Sequence, residues 1–114
     1  MQNYRQYLIL SLILIFIQIN PALALEDKRD SSVYYYNKGT NLAILGKYEL
    51  AIEFFNKAIK LNPKFSKIYN NKGLTLEKLG QYRLVLDAYN KALELDSINS
   101  EIQNNQKRLL KLIK

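Results

Sequence analysis

The sequence predicts an all-α fold, a short right-handed solenoid of two helix–turn–helix units followed by a capping helix. Three observations support it. A 34-residue unit occurs twice without a gap, over residues 32–65 and 66–99, with fourteen identical positions. Within each copy, apolar residues recur at three- and four-residue intervals, which is the periodicity of an amphipathic helix. Glycine or proline interrupts the pattern where a helix pair would turn.

The first copy divides into two helices at Gly46. The apolar residues of its first half are Tyr35, Leu42 and Leu45, and Gly39 lies on the same side. The second helix follows Gly46-Lys47 and ends before Pro63, because the residue preceding a proline avoids the helical region. Its apolar side is formed by Tyr48, Ala51, Ile52, Phe55, Ala58, Ile59 and Leu61.

The second copy has the same pattern and is followed by one more amphipathic segment, residues 100–114. This copy turns at Gly80-Gln81 and continues from Tyr82. Ser100 and Gln103 stand at capping-box spacing, which predicts a helix start. We expect this last helix to bury Ile102, Leu109, Leu110 and Ile113 and to cap the array, with lysines and Arg108 on its other side.

Residues 1–24 read as a signal peptide. A polar start with Arg5 is followed by an apolar run over residues 8–19, the helix breaker Asn20-Pro21 and the small-x-small motif Ala22–Ala24. The alternative is an uncleaved membrane anchor, although the apolar run is shorter than the roughly 20 residues that span a bilayer. Residues 25–31 are dense in charge and lack periodicity, which predicts a solvated spacer.

Composition removes several classes of chemistry. The 114 residues include no Cys and no His and carry a formal net charge of +7. We therefore predict no disulfide, no metal site, no cofactor and no catalytic residue. Glu49 and Glu53 lie one turn apart, but a pair of carboxylates without a third convergent group favours a solvated helix face over an active site.

Nucleic-acid binding is not expected either, despite the positive charge. The aromatic run Tyr34-Tyr35-Tyr36 suggests a stacking platform. However, Tyr35 belongs to the apolar pattern of the repeat, and the lysines are scattered over every helix instead of clustering on one face.

These residues resemble the tetratricopeptide repeat family. The resemblance rests on an aromatic, a glycine four residues later, a Gly-x-Tyr turn, a small residue, a second aromatic and an alanine. The first copy carries it at Tyr35, Gly39, Gly46, Tyr48, Ala51, Phe55, Ala58 and Pro63, and the second at Tyr69, Gly73, Gly80, Tyr82, Val85, Tyr89 and Ala92. Lys38 and Lys72 stand where leucine is usual, Val85 replaces the small residue, and Ser97 replaces the proline.

The resemblance implies a concave groove, lined by the first helices of successive repeats, that binds a peptide. The corresponding positions are Tyr36, Asn37, Thr40, Asn70, Asn71, Leu74, Asn104, Asn105 and Arg108. We also expect Asn37, Asn71 and Asn105, which recur every 34 residues, to form a row of amides along a peptide backbone, with Asn70 and Asn104 beside them. The alternative is that these asparagines are structural.

A known binding mode of the family, the carboxylate clamp for acidic chaperone C-termini, does not fit. Its slots here hold Tyr36, Thr40, Asn71, Glu101 and Asn105, of which only Asn71 matches, and Glu101 would repel a carboxylate.

The resulting expectation is a non-catalytic module that binds a protein or peptide outside the cytoplasm, in a periplasm, lumen or extracellular space. The alternative function is an outward-facing assembly factor for a membrane complex, tethered through residues 1–24. Weak dimerisation through Tyr34, at the open end of the array, is a further expectation.

Overall fold

The computed structural model describes residues 2–114, with side-chain environments for all of these except residues 2, 17 and 22–26. This part of the chain is entirely helical, which confirms the all-α prediction. The six helices are α1 (Gln2–Ile19), α2 (Pro21–Ile44), α3 (Tyr48–Leu61), α4 (Ser66–Lys78), α5 (Tyr82–Leu95) and α6 (Ser100–Leu112). Helices α2 with α3 and α4 with α5 form the two helix–turn–helix units, and α6 packs against α5.

Both units turn through a glycine in the left-handed conformation. Gly46 has φ 77° and Gly80 has φ 71°, a region that side-chain-bearing residues rarely adopt. At the first turn Lys47 N–H donates to the Leu42 carbonyl and Gly46 N–H to the Ala43 carbonyl, and the second turn repeats both bonds. This is the Schellman pattern, which satisfies the last carbonyls of a helix.

Each unit is held together by an aromatic ring lying against a glycine. Phe55 and Tyr89 are fully buried. A Cβ at Gly39 would lie 2.8 Å from the Phe55 ring, and one at Gly73 would lie 2.5 Å from the Tyr89 ring. Only glycine permits this approach, so the sequence positions that define the repeat also set how closely its two helices pack.

The N-terminal region is more helical than predicted. Asn20-Pro21 does separate α1 from α2, with Pro21 at the start of the second helix, where a missing N–H costs nothing. The segment 25–31, predicted to be a spacer outside the repeats, instead belongs to α2. At its end the Ser32 hydroxyl, fully buried, donates to the Ala58 carbonyl of α3.

No helix among the described residues combines the length and the apolarity needed to span a membrane. The side chains of the predicted cleavage motif, residues 22–24, and the initiator Met1 lie outside the described set.

Helix α6 caps the array differently from the prediction. It starts at Ser100, one residue earlier than a capping box with Ser100 as the cap implies, because the cap is Asn99, whose side-chain oxygen accepts from Ile102 N–H. Ile102 and Leu109 are buried as expected, but Leu110 and Ile113 are exposed. No later helix exists in the described chain to cover those two positions.

Candidate functional site

The first helices of the three successive elements, α2, α4 and α6, are joined side by side through polar side chains. Asn71 of α4 donates its amide to the Tyr36 hydroxyl (3.0 Å) and to the Thr40 hydroxyl (3.3 Å) of α2. Asn105 of α6 donates to the side-chain oxygen of Asn70 on α4 (3.0 Å). Because Tyr36 and Asn70, like Asn71 and Asn105, are one repeat apart, these are the same contact made twice.

A pocket of about 440 Å³ opens between α2 and α4, a size at which proteins commonly bind ligand groups. The start of α3 closes one side of it. Most of its lining is apolar, with hydroxyl and amide groups from α2 and α4 and one charged side chain. The lining residues are Thr40, Ala43, Ile44, Tyr48, Phe55, Asn71, Leu74, Thr75 and Lys78.

The repeat-equivalent region between α4 and α6 is occupied by a polar triad. The hydroxyl of Tyr89 donates to a carboxylate oxygen of Glu77, and Arg108 donates to the same oxygen at 2.7 Å. Arg108 also donates to the side-chain oxygen of Asn105 at 3.1 Å. The triad therefore ties α4, α5 and α6 together where α2, α3 and α4 leave a pocket.

The triad perturbs the acidities of its members. Burial, and next the hydrogen bond to Glu77, raise the pKa of Tyr89 well above its ordinary value of 10.0. The same carboxylate raises the pKa of Arg108 through its hydrogen bond. Both groups therefore hold their protons more tightly in the folded chain, which is the behaviour of a structural network.

The three asparagines predicted to form a row have different surroundings in the structure, and their contact with a peptide stays a prediction. Asn37 is exposed, whereas Asn71 is half-buried and its amide N–H groups are used by α2. Asn105 is only 7% exposed and is bonded to both Asn70 and Arg108. The three amides differ in exposure and in hydrogen bonding because different residues face them from the preceding repeat. The recurrence of Asn alone does not show this.

The other predicted groove residues divide between the two regions. Tyr36, Thr40, Asn71 and Leu74 surround or line the pocket, while Asn70, Asn105 and Arg108 belong to the polar network between α4 and α6. Asn104 is exposed, as Asn37 is. Asn70 is 5% exposed and donates to Glu101 at 3.3 Å.

Sequence reasoning missed the residues that distinguish the two regions. Ala43, Phe55 and Lys78 line the pocket, and Glu77 and Tyr89 close the second region. Aligning the copies could have found them, because a tyrosine replaces Phe55 and a glutamate replaces Ala43 at matching positions of the second copy.

The three consecutive tyrosines do not form a common stacking surface. Tyr35 stacks on Phe54, and Tyr36 packs against Phe55 and Phe65. Tyr34 is exposed and meets the edge of Tyr35. Lys38 lies over the Tyr34 and Phe54 rings, so the cation and the aromatics satisfy each other.

Comparisons with known proteins agree with this architecture. The profile of the tetratricopeptide repeat matches residues 32–65 and 66–99. The chain therefore belongs to the tetratricopeptide repeat family, whose domains typically mediate protein–protein or peptide binding.

Individual relatives are similar over parts of their length. An uncharacterized protein of Methanocaldococcus jannaschii is 44% identical over 39 residues, which are 34% of this chain and 45% of that protein. The second tetratricopeptide domain of Spaghetti (RPAP3), bound to the HSP90 peptide SRMEEVD, superposes with a TM-score of 0.75 at 20% identity, covering 79% of this chain and 82% of that one.

A third similar structure is the tetratricopeptide domain of Arabidopsis OM64. It superposes with a TM-score of 0.69 at 26% identity and covers 83% of this chain and 72% of that domain. At these identities the likeness shows the fold and leaves the ligand to be argued from this chain's own residues.

Proposed function

We propose that this chain is an exported, non-catalytic module that binds a peptide or an extended protein segment between α2 and α4. The observation that carries the proposal is the pocket of about 440 Å³, which combines apolar walls with hydroxyl and amide groups. A concave, mostly apolar site with a few placed polar groups is typical of a binding site.

The relatives support a peptide as the ligand. Spaghetti (RPAP3) holds the HSP90 peptide SRMEEVD on the same fold. The cationic slots of the carboxylate clamp contain Tyr36, Glu101 and Asn105 in this chain, so we propose that its peptide differs in chemistry from an acidic chaperone C-terminus.

Export is supported by the sequence of residues 1–24, whose polar start, apolar run and small-residue motif are typical of a signal peptide. The second candidate is an outward-facing assembly factor held by an uncleaved α1, and the exposed apolar side chains of that helix favour it. N-terminal sequencing of protein from its native host separates the two. Export predicts Leu25 as the first residue, and intact Met1 in the membrane fraction would establish the tether.

Weak self-association through Tyr34 remains part of this proposal. The ring of Tyr34 is exposed on the first helix of the first repeat, and residues 2–31 of the described chain form no earlier repeat. Analytical ultracentrifugation of wild type and Tyr34→Ser tests it, since a dimer seen only in wild type is the expected result. A monomer at high micromolar concentration would refute it.

Photo-crosslinking from matched positions tests the binding site. Ile44 lines the pocket and Ile98 lies in the connection between α5 and α6, and both are largely exposed, at 78% and 88%. A benzophenone amino acid introduced in place of Ile44 is expected to capture a partner in native extract, and the same group in place of Ile98 is not. Equal capture at both positions, or capture only at residue 98, would contradict the proposal.

A further inference from the structure

The two repeat-equivalent regions differ at three positions that face each other. In the first, Ala43, Phe55 and Leu74 are all apolar, and in the second the same positions hold Glu77, Tyr89 and Arg108. The first set lines a pocket. The second set forms a hydrogen-bonded triad in which one carboxylate oxygen of Glu77 accepts from both partners.

The triad makes the second region unsuitable for an apolar group. A side chain entering there would have to break the Arg108–Glu77 pair or leave the buried Tyr89 hydroxyl without its acceptor, and an unpaired buried polar group is costly. Binding of apolar groups is therefore confined to the first region, so this short array has one such subsite instead of two.

The polar groups of the first pocket are arranged to receive a peptide main chain. Both donor contacts of Asn71 are directed to α2, and Thr40 donates its own hydroxyl proton to the Tyr36 carbonyl. Thr75 likewise donates to the Asn71 carbonyl. The side-chain oxygen of Asn71 is left to accept a hydrogen bond from a backbone N–H of the ligand, and the hydroxyl oxygens of Thr40 and Thr75 keep acceptor capacity beside it.

The charge of one pocket residue, Lys78, indicates which kind of ligand residue would lie next to an apolar side chain in the pocket. Lys78 is the one charged residue among those that line the pocket, and it is exposed at the end of α4. The adjacent carboxylate of Glu77 is held by Arg108 and Tyr89 in the second region. The ammonium of Lys78 thus gives this rim a positive charge, in a chain of formal net charge +7.

We propose that the pocket receives one large apolar side chain of an extended partner segment, and that Lys78 selects an acidic residue next to it. This inference rests on the proposed function and specifies its ligand. It assigns the apolar residue to the walls formed by Phe55 and Leu74, and the main-chain N–H to the amide oxygen of Asn71.

A charge-reversal experiment tests the selection. A random-peptide phage library is panned against the immobilised full chain as wild type, as Lys78→Glu and as Lys64→Glu. Lys64 is also exposed but lies in the connection between α3 and α4, outside the pocket lining. Wild type and the Lys64 variant are expected to enrich an apolar residue beside Asp or Glu, and the Lys78 variant is expected to enrich an apolar residue beside Lys or Arg.

The affinities of one enriched peptide give the quantitative result. Lys78→Glu is expected to weaken binding of the acidic peptide about five-fold, the scale of an exposed ion pair replaced by a repulsion, while Lys64→Glu leaves it unchanged. The strength should also fall as salt is added.

The possible outcomes distinguish failure of the role assigned to Lys78 from failure of the proposed peptide-binding function. Peptides that bind wild type with no charge preference, or that bind both variants equally, overturn the role of Lys78 and leave the peptide-binding function standing. Failure of any peptide to be enriched over a bare-surface control overturns both. Enrichment of basic residues by wild type contradicts the inference directly.

Discussion

The region between α2, α3 and α4 and the region between α4, α5 and α6 are built on the same 34-residue pattern, yet one is open and the other closed. Among the pairs of lining residues that differ, three account for the closure of the second region. Where the first region has Phe55, Ala43 and Leu74, the second has a tyrosine, a glutamate and an arginine that bond to one another. Backbone architecture is shared, and side-chain chemistry decides which surface remains available to a ligand.

The comparison separates two kinds of position in the repeat. Positions identical between the copies, such as Gly39 and Gly73 or Ala58 and Ala92, form the core and the turns. Most positions that line the pocket differ between the copies, Tyr48 and Asn71 being the exceptions that match Tyr82 and Asn37. In a repeat protein the second kind is where binding specificity resides, because the first kind is fixed by packing.

The largest expected effect on stability comes from alanine substitutions at Gly73 and Gly39, and it should differ between the two sites. Gly73→Ala places a Cβ 2.5 Å from the Tyr89 ring, and Gly39→Ala places one 2.8 Å from the Phe55 ring. Tyr89 is held by Glu77 and cannot shift, whereas Phe55 borders the pocket. We expect Gly73→Ala to lower the free energy of unfolding by about 3 kcal/mol and Gly39→Ala by about 1 kcal/mol.

Urea denaturation of both variants measures this difference. The gain in helix propensity from alanine, up to about 1 kcal/mol, acts equally at the two sites and cancels in the comparison. Equal losses would show that Tyr89 is no more rigidly held than Phe55.

The buried amide pair provides the next contrast. Asn105→Ala leaves the Asn70 oxygen and one Arg108 donor without a partner, so we expect a loss of about 2 kcal/mol. Asn37 is exposed, and Asn37→Ala should change stability by less than about 0.5 kcal/mol. Thermal unfolding of the two variants checks this. Similar small changes at both positions would contradict a structural role for Asn105 and favour equivalent, ligand-facing amides.

Removing one hydroxyl should affect only the closed region. Tyr89→Phe deletes the hydrogen bond to Glu77, and we expect it to cost about 1.5 kcal/mol, the scale of a bond to a charged group. Phe55→Tyr adds a hydroxyl to a buried ring that lines the open pocket, and we expect a cost of less than about 0.5 kcal/mol because the hydroxyl can extend into the pocket. Denaturant titration of both variants compares them, and a reversed order would mean that the first region is the better packed one.

Alkaline pH gives a subtler signature of the triad. The folded chain raises the pKa of Tyr89 above its ordinary value of 10.0. Above about pH 10 the unfolded chain releases this proton while the folded chain keeps it, so stability falls as pH rises. The slope attributable to Tyr89 approaches about 1.4 kcal/mol per pH unit.

The matched control for that slope is Tyr89→Phe. It removes the titrating group and leaves the other tyrosines and lysines, so the difference in unfolding free energy between the two chains should shrink between pH 9 and 11. Parallel pH profiles would rule out the raised pKa.

The architecture could be predicted from the sequence because the residues that form the turns and the helix contacts recur in both copies. Gly46 and Gly80 marked both turns, and the aromatic-plus-glycine pairs marked both helix contacts. The start of α2 was predicted less well, since residues 25–31 lack an apolar stripe but continue the helix that Pro21 begins. A charged segment adjoining a stable helix can extend it without any packing of its own.

The residues around the pocket were predicted in outline and not in detail. Thr40, Asn71 and Leu74 do line one pocket. The roles of Asn70 and Asn105 could not be read from their recurrence, because a side chain's hydrogen-bond partner lies on the neighbouring repeat. The triad spans three helices and 31 residues between Glu77 and Arg108, a separation that single-sequence patterns do not register.

Exchanging the two regions tests the central claim most directly. One variant of the full chain carries Ala43→Glu, Phe55→Tyr and Leu74→Arg, which closes the first region. A second carries Glu77→Ala, Tyr89→Phe and Arg108→Leu, which opens the second. Circular dichroism confirms that each variant retains its helices before binding of the peptide enriched by wild type is measured by fluorescence anisotropy. We predict that the closing variant loses binding while the opening variant keeps the original site and gains a second. Undiminished binding by the closing variant, with its helices intact, would contradict the account.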